Sequence, residues 1–145
     1  MSKRFESFPG IKTKRESKRV AAVIDTSGSI GEEQLGMFFS ELKGLIRSSA
    51  EVTIIECDAE VQNTFTFKGK VPTTFKGGGG TSFDPAFEWI NTAKHQRFDV
   101  CIYLTDGYAA TPQVKPKCPL LWVLTPDGAK DETFPFGKVI RLPAA

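Results

Sequence analysis

The sequence has few of the residues that cross-link a fold or bind a soft metal, with three cysteines and one histidine among 145 residues. The cysteines are odd in number, and none of them forms a Cys-x-x-Cys pair. A disulfide framework and a thiol-bound zinc site are therefore not expected. A chain of this length needs neither, because it buries roughly 68–70% of its unfolded surface in one core. This cysteine usage is typical of a reducing cytoplasm.

The sequence also lacks long apolar runs and a signal peptide. No apolar run approaches the ~20 residues that a transmembrane helix requires. The first residues lack the successive charged, apolar and small-residue regions of a secretory signal. We therefore expect a soluble, cytoplasmic protein that does not act at a membrane.

Acidic residues are scarce at the start of the chain. Residues 1–19 contain seven Lys or Arg and two Glu, so this segment carries +5, and the remainder carries −3 to give the net charge of +2. We interpret residues 1–17 as a basic arm or linker and residues 18–145 as one domain. A basic arm can bind nucleic acid, but no aromatic platform or recognition helix accompanies it. Nucleic-acid binding through the arm therefore remains a secondary hypothesis.

Continuous apolar runs dominate the rest of the chain, at residues 20–24, 100–104 and 120–124. Strands that are covered on both faces have this pattern, which indicates a parallel sheet with helices on each side. Residues 52–57 are also strand-like. Residues 61–67 alternate apolar and polar side chains instead, which predicts an antiparallel edge strand after a short turn at 58–60.

Two helices are predicted between these strands. An apolar stripe at helical spacing runs from Leu35 to Ile46 and predicts a helix over about residues 32–47. A second stripe begins at Phe83, with Asp84 as N-cap and Pro85 as first helical residue. Three prolines between Leu104 and Leu120 predict an irregular connection there. The order β-α-β-β-α-β-β, followed by residues 138–141 as a sixth short strand, describes an open α/β sheet.

Oxygen-bearing side chains follow the predicted strands in three loops, at residues 25–29, 77–82 and 105–107. Ligands of open α/β sheets bind outside the carboxyl ends of the strands. If the first strand neighbours residues 100–104, Asp25 and Asp106 converge, and their repulsion calls for a cation between them. The candidate oxygen ligands are Asp25, Ser27, Ser29, Thr81 and Asp106. Oxygen ligands without thiol or imidazole favour Mg²⁺ over zinc.

Simpler explanations exist for several of these residues. Ser29 and Glu32 have the spacing of a capping box, so Ser29 could start the helix instead of binding metal. Asp58 could orient a ligand or a metal-bound water, or it could only shape the turn before residues 61–67. Four consecutive glycines at 77–80 could cradle a phosphate, but no Gly-Lys-Ser/Thr follows them. We expect Asp25→Ala to abolish metal binding with little loss of fold.

The three loops together resemble the metal-ion-dependent adhesion site (MIDAS) of von Willebrand factor A domains, and the match extends over roughly residues 18–141. The residues that carry it are Asp25-x-Ser27-x-Ser29, the glycine-rich loop that ends in Thr81, and Thr105-Asp106-Gly107. Four further motifs resemble a bacterial subgroup of this family: Cys57-Asp58-Ala59, Gly-Gly-Gly-Thr81, Tyr103-Leu104-Thr105-Asp106-Gly107-Tyr108 and Leu121-Trp122-Val123-Leu124. In that subgroup the domain often follows a predicted metallopeptidase-like module and is encoded beside a MoxR-type AAA+ ATPase.

This resemblance implies a doubly wound, Rossmann-like sheet, mostly parallel with one antiparallel edge strand, in the order 3-2-1-4-5-6. It implies a Mg²⁺ or Mn²⁺ held by Asp25, Ser27 and Ser29, with Thr81 from the second loop and Asp106 binding directly or through water. The residues expected around these ligands are Asp58, Gly79, Gly80, Ser82, Asp84 and Gly107. The sequence departs from the family pattern in a shortened connection after Asp106 and in Ser82-Phe83-Asp84, where an acid directly after the threonine is expected.

The function that this resemblance implies is metal-dependent protein binding, in which an Asp or Glu of a partner completes the coordination of the ion. A MoxR-type AAA+ ATPase and a peptidase-like module are the candidate partners. A Mg²⁺-dependent phosphohydrolase or phosphotransferase that uses Asp25 as nucleophile is an alternative, but Ser27 stands where a second acid is expected. No zinc-hydrolase signature occurs either, so we expect any catalysis to reside in a partner.

Overall fold

The computed structural model describes residue 5 and residues 18–27, 30–72, 74–75, 77–92 and 97–144. The strands are β1 (Arg19–Asp25), β2 (Glu51–Cys57), β3 (Val61–Phe67), β4 (Val100–Thr105), β5 (Leu120–Leu124) and β6 (Lys138–Arg141). The helices are α1 (Glu32–Arg47), α2 (Asp84–Thr92) and a short 3-10 helix (Asp131–Thr133). All six predicted strands and both predicted α-helices are present, and the 3-10 helix was not foreseen.

The six strands form one sheet in the order β3-β2-β1-β4-β5-β6. Only β2 and β3 pair antiparallel, and the other neighbours are parallel. The predicted order and the antiparallel edge strand are therefore confirmed. The parallel register brings the ends of the central strands to one edge of the sheet, since Asp25 lies opposite Cys57 and Ile24 lies opposite Leu104.

The sheet is buried on both faces, which explains the continuous apolar runs. In β1, Val20, Ala22 and Ile24 face the α1 side, where they pack in a cluster with helix residues such as Phe38 and Leu42. The intervening Ala21 and Val23 belong to a second cluster on the α2 side. Because neighbouring residues of a strand point to opposite faces, every position of β1 needs an apolar side chain.

Both helix starts differ in detail from the sequence prediction. The N-cap of α1 is Gly31, and Glu32 is the first helical residue, with no side-chain cap. The capping-box hypothesis for Ser29 is therefore wrong, although Ser29 itself lies outside the described residues. At α2, Asp84 is already helical, and its Oδ1 accepts hydrogen bonds of 2.9 Å from the backbone of Gln113 and Val114. This carboxylate thus ties the connection after β4 to α2.

The connection from β4 to β5 is irregular, as its prolines predicted. Its whole length is described, and it contains no helix. Aromatic rings fill the space on the α2 side of the sheet around Trp122, which is fully buried. Its ring centroid lies 4.6 Å from that of Phe134, 4.8 Å from Phe83 and 5.3 Å from Tyr103. These side chains pack in the same cluster as Ala86 and Phe87 of α2.

Phe5 is the one described residue among residues 1–17, and its side chain is fully buried. The ring packs edge to face on Phe38 with 5.7 Å between centroids, and the backbone N–H donates to Glu41 Oε1 at 3.3 Å. Phe5 therefore belongs to the core on the α1 side. The sequence offered no periodic pattern that would have identified this contact. The division at residue 17 stays a prediction.

Two further expectations concern cysteines and membrane-spanning segments. Cys57, Cys101 and Cys118 are all free thiols, so no disulfide joins them. Within the part of the chain that the structure describes, no helix combines the length and the apolar character needed to cross a bilayer.

Candidate metal centre

Asp25 is the last residue of β1, and its side chain is buried, with 4% of its surface exposed. Its Oδ1 accepts the backbone N–H of Ser27 at 3.0 Å and also the hydroxyl of Ser27. Its Oδ2 accepts the hydroxyl of Thr105 at 2.6 Å. Hydrogen bonds therefore fix both carboxylate oxygens in a buried place at the sheet edge, which orients Asp25 before any ligand binds.

Thr81 joins this group from the glycine-rich loop. Its hydroxyl donates to Ser27 Oγ at 2.5 Å, although the two residues are 54 positions apart. Three predicted ligands, Asp25, Ser27 and Thr81, thus lie in one hydrogen-bonded row at the carboxyl end of β1. The sequence predicted these residues, which belong to two separate loops, as ligands of one ion, and the structure brings their side chains into contact.

The glycine-rich loop passes close to the ends of β1 and β2. Gly77 has a φ of +131°, and a Cβ at this position would lie 2.1 Å from Thr26 Oγ1. Gly79 donates its N–H to Asp58 Oδ2 at 3.0 Å, and the N–H of Ser82 donates to the Asp58 carbonyl at 3.1 Å. Gly80 has open space beside it. The missing side chain at Gly77 thus permits the close approach that leads the loop to Thr81.

Asp58 holds two segments together at the end of β2. One oxygen, Oδ1, accepts the N–H of Glu60 and the side-chain amide of Gln62, each at 3.0 Å, while Oδ2 binds Gly79. Asp58 thus shapes the turn before β3, and it also fixes the glycine-rich loop. Burial raises the pKa of its carboxyl, but the hydrogen bonds from Gln62, Gly79 and Glu60 outweigh burial and lower the pKa to about 2.

Asp58→Asn is expected to reduce the free energy of unfolding by about 2 kcal/mol at pH 7. The pKa of Asp58 falls on folding from its ordinary 3.8 to about 2, so its stabilisation is complete above about pH 5 and is lost as the pH falls toward 2. Urea unfolding of wild type and variant between pH 7 and pH 2 measures this difference.

The matched control is Glu88→Gln, which removes an exposed carboxylate from α2. Its stability difference from wild type should stay small at every pH. The structural role assigned to Asp58 would be wrong if the wild type and Asp58→Asn showed the same stability throughout this range.

Asp106 follows β4 and is half-buried at the same sheet edge. Its Oδ1 accepts the N–H of Tyr108 at 3.0 Å, and its carbonyl accepts the N–H of Ala129 at 2.7 Å. The residue in direct contact with Asp25 is the preceding Thr105. Gly107 has a φ of +81°, and a Cβ there would lie 2.7 Å from Phe134 Cζ, so the tight turn after Asp106 requires glycine.

The sequence prediction of the site missed three side chains. Thr105 was part of a sequence motif but was not predicted as a site residue. Its hydroxyl donates to Asp25 and accepts the N–H of Gly107. Gln62 supports Asp58 from an edge strand. The Thr26 hydroxyl oxygen is buried beside Gly77 and has no hydrogen-bond partner among the described residues. The sequence signal for Thr105 was a polar residue at the end of an otherwise apolar strand. The roles of Gln62 and Thr26 could not be predicted, because they depend on the path of the glycine-rich loop.

The donor set fits a small, hard cation. Within the described ranges, no group of three or more His, Cys, Asp or Glu side chains is placed to hold a metal, so hydroxyls would have to contribute. Ser27 and Thr81 each have lone pairs available for this, beside the Asp25 carboxylate. Burial raises the pKa of the Cys57 thiol at the end of β2 to about 11, which makes it a poor metal ligand. Ser29 lies outside the described residues.

The sheet order and the helices on its two faces define a Rossmann-type α/β domain of the von Willebrand factor A (VWA) kind. The chain belongs to the family described as "VWA-like domain (DUF2201)", which matches residues 20–143. A protein of Thermotoga maritima described as "Uncharacterized protein" is 30% identical over 127 residues, an alignment that covers 86% of this chain and 31% of the relative. The chain thus spans about a third of that relative's length. The VWA-like resemblance of the sequence is confirmed.

Proposed function

We propose that this domain is a metal-dependent protein-binding module. A Mg²⁺ or Mn²⁺ would be held by Asp25, Ser27, Ser29, Thr81 and Asp106, and an Asp or Glu of a partner would complete its coordination. The observation that carries the proposal is the direct contact between Ser27 and Thr81, because it joins two of the three predicted loops beside the buried carboxylate.

The chemistry of the edge supports a cation in this role. The carboxylates of Asp25 and Asp106 follow neighbouring strands, and a divalent ion supplies the positive charge that offsets them. The two carboxylates and the hydroxyls leave coordination places for water or an incoming oxygen ligand. A partner carboxylate could fill such a coordination position. Without the cation, the carboxylates of Asp25 and Asp106 would repel it.

The proposal also includes the identity of the partner protein. VWA-like domains are compatible with protein interaction, and this chain corresponds to only 31% of its Thermotoga maritima relative. We propose a MoxR-type AAA+ ATPase or a peptidase-like module as partner, with any catalysis in that partner. No described contact favours Asp25 as a phosphoryl-transfer nucleophile.

Thermal unfolding with Mg²⁺, Mn²⁺ or EDTA tests the cation site. An ion at 100 times its dissociation constant is expected to stabilise the wild type by about 2.7 kcal/mol, which raises the midpoint by several degrees. Thr81→Val removes one candidate oxygen ligand at constant size, so the metal-induced shift should fall by more than half.

Thr66→Val is the matched control, because it removes an exposed hydroxyl from β3. Thr66 pairs with Thr53 near the start of β2, so it lies away from the carboxyl end of β2. Its metal-induced shift should equal that of the wild type. An equal shift in wild type, Thr81→Val and Thr66→Val would refute the proposed ligand set, and no shift in any of them would refute the proposed site.

A further inference from the structure

Tyr108 is 63% exposed although it is a large aromatic residue. It is nevertheless fixed, since its N–H donates to Asp106 Oδ1 at 3.0 Å and its hydroxyl donates to the Asp127 carbonyl at 3.1 Å. The preceding Gly107 packs closely on Phe134, since a Cβ at Gly107 would lie 2.7 Å from Phe134 Cζ. A rigid, exposed aromatic ring is a common anchor in protein interfaces because little conformational entropy is lost on binding.

A groove lies on one side of this ring, with a volume of about 570 Å³. Its apolar lining consists of Phe83, Tyr108, Ala109, Pro112, Ala129 and Phe134. We call this the Tyr108 groove. Its volume is within the range of sites that bind a small ligand or a few residues of a peptide.

The Tyr108 groove lies beside Asp106, one of the proposed metal ligands. Tyr108 also lines a second cavity of about 560 Å³, and Asp106 lines the same cavity. One ring therefore separates the apolar groove from a proposed metal ligand two residues away. A peptide with its carboxylate at the cation would place its neighbouring side chains over Tyr108.

The charges around the ring restrict what this surface can accept. Asp106 and Asp127 line the second cavity, while Lys130 and Glu132 line the Tyr108 groove. Three carboxylates against one ammonium disfavour an acidic residue except above a bound cation. The Tyr108 groove has an apolar lining and therefore favours an apolar side chain. The cavity beside Asp106 favours an acidic side chain only when a cation is bound.

We propose that the partner is recognised through a short acidic and apolar motif. Its Asp or Glu binds the cation, and a Leu, Ile, Met or Phe within about three residues of that acid enters the Tyr108 groove. This inference rests on the proposed function, since the cation provides the acidic half of the recognition. The groove provides the affinity and the selectivity among acidic segments.

A random peptide library displayed on phage tests the motif, with the whole chain immobilised in Mg²⁺ and bound phage eluted by EDTA. The eluted peptides should carry an Asp or Glu close to a large apolar residue. One such peptide is then titrated against wild type and Thr111→Trp. Thr111 is an exposed residue at the groove, so the added indole should block the groove and weaken binding by about tenfold or more.

Thr66→Trp adds the same bulk to β3 and should bind the peptide as the wild type does. Tyr108→Ala is a second groove variant, which should show the same loss as Thr111→Trp. The metal-induced thermal shift should be unchanged in Thr111→Trp, because this residue is not a proposed metal ligand. This readout separates the groove from the cation site.

Three outcomes would overturn the inference. Eluted peptides that are acidic without any apolar preference would exclude the groove while leaving the metal centre intact. Wild-type affinity in Thr111→Trp and Tyr108→Ala would exclude it in the same way. Failure to elute any peptide with EDTA, in a protein that still shows the metal-induced shift, would exclude the motif. Loss of the shift in the wild type would instead refute the proposed function.

Discussion

Gly77→Ala is expected to reduce the free energy of unfolding by about 2–5 kcal/mol and to weaken metal binding. The φ of +131° is a conformation that alanine adopts only with strain of about 1–3 kcal/mol. The added Cβ would also lie 2.1 Å from Thr26 Oγ1 and 3.3 Å from Asp58 Oδ2, which forces the loop or β1 to move. Since this loop carries Thr81, its displacement would separate Thr81 from Ser27.

Two neighbouring glycines provide matched controls for this prediction. Gly78 has a φ of +119° but open space around its Cα, so Gly78→Ala should show the strain without the clash. Gly80 has open space and no positive φ, so Gly80→Ala should be neutral or stabilise by up to about 1 kcal/mol. Urea unfolding of the three variants should give losses in the order Gly77, Gly78, Gly80. Equal losses at Gly77 and Gly78 would show that the close approach to Thr26 is not important.

Asp25→Ala is expected to lower the free energy of unfolding by about 3 kcal/mol even without metal. The substitution leaves three donors without their acceptor: the buried hydroxyl of Thr105 and the partly buried N–H and hydroxyl of Ser27. Each unpaired buried donor costs about 1–3 kcal/mol, and relief of repulsion with Asp106 offsets only part of this. The burial of Asp25 therefore revises the expectation, drawn from the sequence, of little loss of fold.

Asp25→Asn is the conservative partner of this variant. Its amide keeps the side-chain volume and one acceptor oxygen, so it should lose about half as much stability as Asp25→Ala. Urea unfolding in EDTA measures both variants without a contribution from metal. If Asp25→Ala were as stable as the wild type, the hydrogen bonds at Asp25 would not be a significant part of the fold.

Much of the fold could be predicted from the sequence because apolar periodicity reports burial directly. The runs at residues 20–24, 100–104 and 120–124 are buried on both faces of the sheet, and the alternation of residues 61–67 corresponds to an edge strand. The prolines after β4 likewise predicted an irregular connection. Local patterns of this kind are sufficient to predict an element when the burial of its side chains follows directly from its own periodicity.

The contacts that a local pattern does not encode were missed. The burial of Phe5 against α1 and the aromatic contacts of Trp122 join segments that are distant along the chain. At the site, the sequence predicted Ser27 and Thr81 as ligands of one ion, but it did not predict the contacts of Asp58 and Gly77 that hold the loop in place. The capping-box reading of Ser29 failed for a similar reason, since the helix starts at Glu32, two residues after Ile30.

Direct titration of Mn²⁺ tests the central claim of a cation site at Asp25, Ser27 and Thr81. Bound Mn²⁺ is measured by the loss of the electron paramagnetic resonance signal of the free aqueous ion, for the wild type and for Asp25→Asn. The account predicts one bound ion per wild-type chain, displaced by Mg²⁺, and no binding at this site in Asp25→Asn. Equal binding by the two proteins, or no binding by the wild type, would contradict it.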